Sequence, residues 1–131
     1  MKRFAILFGC FAFLTSPVLA TSDFSKQWKA KYYNDNENDD FRKMVRTQAC
    51  YICHVYKEDK KKVRNEYGKA IHKFLKAEDY PKEWIKENPE EFKKKVYEGL
   101  EKAGELKSTD GKTFAEKLKN NEKPAADSGK D

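Results

Sequence analysis

The chain has 131 residues, 38% of them charged, and a formal net charge of +6. That length suits one domain. Three cysteines are too few for a disulfide scaffold, and no nucleic-acid reader motif accompanies the basic balance.

Residues 1–20 read as a secretory signal peptide. Lys2 and Arg3 form a basic head, Phe4 to Leu14 is a nearly unbroken apolar run, and Val18-Leu19-Ala20 offers small residues for cleavage. The run is short for a membrane span and Pro17 interrupts it, so no membrane anchor is expected after cleavage. Export would place the mature chain in the periplasm or otherwise outside the cytoplasm. Cleavage after Ala20 would leave Cys50 and Cys53 as the only thiols and a formal charge of +4.

Phe24, Trp28 and Tyr32 stand at helical spacing and predict a helix from Thr21 to Tyr33. Asn34 to Asp40 carries no apolar residue and reads as a loop, so 21–38 is expected to be an N-terminal helix and linker ahead of a main domain at 39–120. Asp39 or Asp40 would cap a second helix running to about Tyr51, with Phe41, Met44, Val45 and Ile52 on its apolar stripe. The lysine-rich turn from Tyr56 to Lys62 separates it from a third helix, capped by Asn65 and carrying Tyr67, Ala70, Ile71, Phe74 and Leu75.

Pro81 opens a short helix with Trp84 and Ile85. Asn88-Pro89-Glu90-Glu91 then starts a longer one that buries Phe92, Val96, Leu100 and Ala103. Ser108 to Gly111 is a turn, and Phe114, Ala115 and Leu118 mark a last short helix. Residues 121–131 hold Pro, Ala, Ser, Gly and charges without an apolar anchor, which predicts a disordered tail. The pattern as a whole predicts an all-α bundle of about four to five helices.

Between the second and third helices lie Cys50, Tyr51, Ile52, Cys53 and His54, in the order C-x-x-C-H. Two thiols at this spacing can each add across one vinyl group of a porphyrin, and the histidine that follows can hold the iron as an axial ligand. The same cysteines could form a thioredoxin-like redox pair, but that needs a βαβ setting that is not evident here. Zinc on Cys50, Cys53, His54 and His72 would require adjacent Cys53 and His54 to serve one tetrahedral ion. A plain disulfide would leave His54 unexplained.

On these five residues the chain resembles the small single-haem cytochromes c. The resemblance implies a bundle packed around one covalent haem c, with thioethers at Cys50 and Cys53 and iron on His54. It also implies electron transfer between redox proteins rather than an enzyme activity. A haem would add a large apolar body to a domain poor in Leu, Ile and Val, which predicts a loose helical ensemble without it. The lysine-rich surface suits docking on acidic redox partners. Oligomeric state is not legible.

The second axial ligand is open. The common class of these cytochromes uses a methionine downstream of the motif, and here Met44 precedes it. His72 is the leading substitute, because it shares a helix face with Gly68, whose missing side chain would leave a notch for a flat macrocycle. Met44 on its apolar stripe reads as core filler. Alternative readings are a gas-binding or sensory haem protein with an open sixth position, and a haem subunit of a larger complex that packs the segment around Trp28 on a partner. A peroxidase-like site would want a distal histidine with an arginine, and only His72 is free for it.

Overall fold

The computed structural model describes residues 21–59 and 62–130, and among them the protein is all-α. Among the described residues six α-helices are joined by turns, and the only β pairing consists of two isolated bridges, His54 with Arg64 and Lys107 with Thr113. The expected signal peptide lies outside the described residues. No helix among those described is long and apolar enough to cross a membrane.

α1, Thr21–Tyr32, is not an appendage. Trp28 is buried, its Nε1 donates to the Tyr67 hydroxyl at 2.9 Å, and Phe24 packs on Phe92 with ring centroids 5.4 Å apart. The N-terminal segment therefore packs on the rest of the body through Phe24 and Trp28. The aromatic stripe is covered from within, by the third and fifth helices.

α2, Asp39–Gln48, starts one residue earlier than the acidic pair suggested, because Asn38 is its cap and accepts from the Phe41 amide at 2.8 Å. It also stops sooner. Ala49 takes a left-handed φ of 48°, and Ala49–Ile52 continues as a 3₁₀ turn. The helix therefore delivers Phe41 and Val45 to the core and ends before the first motif cysteine.

α3, Glu66–Phe74, begins at the expected Asn65 cap and crosses α5, Pro89–Gly104. Gly99 makes the crossing close, since a Cβ there would lie 2.4 Å from Leu75 Cγ. Tyr67 and Ala70 are buried, whereas Phe74, expected on the apolar stripe, is 41% exposed where the helix ends. α4, Lys82–Glu87, follows Pro81. Asn88 takes the N-cap position of α5, but its side-chain amide turns back to the Trp84 carbonyl instead of capping the helix. Phe92, Val96, Leu100 and Ala103 of α5 form the centre of the core.

α6, Phe114–Lys119, is closed by a capping box between Thr113 and Glu116 and places Phe114 on Tyr67. Its buried Lys117 reaches Asp110 Oδ2 at 2.7 Å, which holds the Asp110 carboxyl below its ordinary range.

The tail is the largest departure from the expectation. Instead of being disordered, residues 122–130 lie along the body, with Pro124, Ala125 and Ser128 buried. Composition alone missed this, because the anchors are small side chains and backbone groups rather than large apolar residues.

Candidate functional site

The C-x-x-C-H residues sit on the 3₁₀ turn and the bend that follows α2. Such a tight loop exposes many backbone carbonyls, and their partners decide how rigid it is. One buried side chain holds most of them. Asn65 is fully buried, and its Nδ2 donates to the carbonyls of Tyr51 at 3.0 Å, Ile52 at 3.0 Å and His54 at 3.4 Å. Its Oδ1 accepts from the Gly68 amide at 2.9 Å, and its own backbone N–H donates to the Cys53 carbonyl at 3.0 Å. Asn65 thus caps α3 and clamps the motif at once.

Gly68 completes the clamp. A Cβ at this position would stand 2.0 Å from the Cys53 oxygen, so α3 lies directly against the motif backbone. The notch expected to receive a macrocycle is filled by the motif itself. His72, four residues further on the same helix, is half-exposed. Met44 is half-buried and packs against the core cluster, as expected of filler.

The imidazole of His54 is oriented by a second backbone contact. Its Nδ1 lies 3.1 Å from the Val63 carbonyl, and a carbonyl oxygen can only accept. Nδ1 therefore carries the proton and Nε2 keeps its lone pair for a metal.

The two thiols differ. Cys50 is exposed. Cys53 is half-exposed as a residue but packs against the core, and burial, reinforced by the nearby Cys50, pushes its thiol up to about 12. A thiol held so far into its protonated range supplies little thiolate for disulfide exchange. The all-α setting also lacks the βαβ unit of thioredoxin-like centres. Among the described residues no three His, Cys, Asp or Glu side chains converge as metal ligands.

A covalent haem fits what these residues offer: an exposed thiol, a second thiol three positions on, and an imidazole with its tautomer set. Two features escaped sequence reasoning. Asn65 was visible only as a helix cap, and its reach back to residues 51–54 needs the loop's path. Val63 offers a backbone atom, which no residue type announces.

Comparisons with protein-family models, with curated proteins and with solved structures found no match.

Proposed function

We propose that the protein is an exported single-haem c-type cytochrome that carries electrons between redox proteins. The observation that supports it most is the His54 imidazole, held through Nδ1 on Val63 within a loop that buried Asn65 clamps. A ligand fixed in one tautomer and one orientation suits a cofactor that must change oxidation state with little rearrangement. When bound, the haem supplies the one-electron couple. Cys50 and Cys53 would tether it, and His54, with His72 as the candidate second ligand, would hold the iron.

The partner surface is assigned to the neighbourhood of Cys50. From Phe41 to Lys57 the chain carries Arg42, Lys43, Arg46 and Lys57 and no carboxylate. Lys43, Arg46 and Lys57 are exposed, as is Tyr56 beside them. On α5, by contrast, Lys93, Lys94 and Lys95 are interspersed with Glu90, Glu91 and Glu98, which weakens any one-signed field. The acid-free stretch is the face that would meet an acidic partner.

The test is an absorption spectrum of the haem-loaded protein, reduced with and without carbon monoxide. A six-coordinate ferrous spectrum indifferent to the gas, and gas-sensitive in His72→Ala, is expected. Ready binding of carbon monoxide by the unaltered protein would overturn electron carriage in favour of ligand binding.

A further inference from the structure

The C-terminal segment contacts both flanks of the attachment loop and the helix behind it. Ser128 O accepts from the Tyr56 amide at 2.8 Å, two residues after His54. Lys130 O accepts from Gln48 Nε2 at 3.0 Å and Lys130 Nζ donates to Thr47 O, just before the motif. The same ammonium lies 5.0 Å from the Tyr51 ring centroid and 5.7 Å from that of Tyr56. The third anchor is α3. Asp127 Oδ1 accepts from the Glu66 amide at 2.8 Å, and the Glu66 carboxylate accepts from the Ala126 amide at 2.7 Å. Glu66 is the neighbour of Asn65, the clamp residue.

These contacts place one segment across both ends of the loop and on the helix that holds it. We propose that Glu122–Lys130 is a strap, pinned by Glu66, which latches the C-x-x-C-H loop shut and limits access to Cys53. The fold supplies the parts of a latch. Asn121 has a left-handed φ of 59° where the strap leaves the body, and Gly129 has one of 68° where it turns over Tyr56. Asparagine and glycine tolerate that region best. The joint with α2 is incompletely satisfied, because Gln48 Oε1 is buried without a hydrogen-bond partner. Opening this joint would let water reach that acceptor, which offsets part of the bond lost.

The purpose of the latch rests on the haem reading, since an open loop admits the vinyl groups and a closed one protects the finished thioethers. Addition of each S–H across a vinyl double bond forms one C–S bond, sends the hydrogen to the other carbon and transfers no net electrons. The mechanics do not rest on that reading and are tested on the full haem-free chain.

The experiment compares the unaltered chain with Glu66→Gln and with Ala125→Asp, which puts a carboxylate at a buried strap position. It follows amide hydrogen exchange at Tyr56 and at Leu100 of α5, together with maleimide labelling of Cys53. Local release is expected to speed Tyr56 exchange and Cys53 labelling by about tenfold, while Leu100 stays within about twofold. Equal acceleration at Leu100 would show general destabilisation and overturn the strap. So would unchanged Tyr56 exchange, or faster Tyr56 exchange with Cys53 labelling unmoved. Should Ala125→Asp not fold, Glu66→Gln decides alone, because it removes charge from a half-exposed position. Failure of the chain to take up haem would leave all these outcomes readable.

Discussion

The carbonyl oxygen of Cys53 lies where a side chain on residue 68 would begin, 2.0 Å from an ideal Cβ. The neighbour is backbone, held in place by the Asn65 amide, so it cannot swing aside as a flexible side chain would. Gly68→Ala must therefore separate α3 from the motif. The expected loss is about 2 kcal/mol or more of unfolding free energy, at the upper end of overpacking costs, with a lower yield of covalent haem. Urea denaturation measures the first, and a variant as stable as the parent would contradict the close contact.

Asn65→Ala removes the bonds to three carbonyls and the α3 cap together. With buried acceptors left unpaired, a loss of about 3 kcal/mol is expected. Asn65→Asp keeps the acceptor for the Gly68 amide but cannot donate to the loop. It also sets a buried carboxylate oxygen against three carbonyl oxygens, so it should be at least as destabilised as Asn65→Ala despite the retained cap. Asn65→Asp as stable as the unaltered chain would mean that the carbonyl contacts contribute nothing.

Tyr67 is wholly enclosed, and its hydroxyl accepts from the Trp28 indole across 39 residues of sequence. Burial raises its phenol well above the ordinary value, with Tyr32 and Cys53 adding to the shift. The phenol should stay protonated wherever the fold persists. Tyr67→Phe leaves the indole N–H without its acceptor and should cost about 1–2 kcal/mol. An ultraviolet titration that ionised all seven tyrosines below pH 11 without unfolding would refute this enclosure.

How much of this was legible depended on what kind of atom makes each contact. Helix positions followed from apolar spacing, and Phe92, Val96 and Leu100 are buried as that spacing implied. The motif itself was plain from residue types. What was hidden is carried by backbone and small groups: the Val63 carbonyl behind His54, the Cys53 carbonyl against Gly68, and the strap's Ala125 and Ser128. Trp28 was readable as apolar but not as the donor to Tyr67, because the two are paired only by the packing of α1 against the body. Among the described residues fourteen apolar side chains, none of them a motif cysteine, are buried in one cluster.

Glu66 gives the strap a pH dependence. Burial acts to raise its carboxyl, but hydrogen bonds from the Ala126 amide, the Ser108 hydroxyl and Thr109 outweigh it and hold the group below its ordinary value. A depressed carboxyl stabilises the fold above its unfolded pKa, and that contribution is lost as pH falls through the folded value. Cys53 labelling should therefore be slow and flat at neutral pH and accelerate in acid, once corrected for thiol chemistry with Cys50 as the internal reference. Glu66→Gln should remove this acid step. An acid step unchanged in the variant would assign the effect to another group.

The most direct measurement is the mass of the exported protein after expression with a c-type haem attachment system, taken under denaturing conditions together with a count of free thiols. The account predicts a chain heavier by one haem with no thiol left to alkylate. It predicts that Cys50→Ala/Cys53→Ala shows only bare chain. A bare chain in which both Cys50 and Cys53 react, despite an active attachment system, would contradict it.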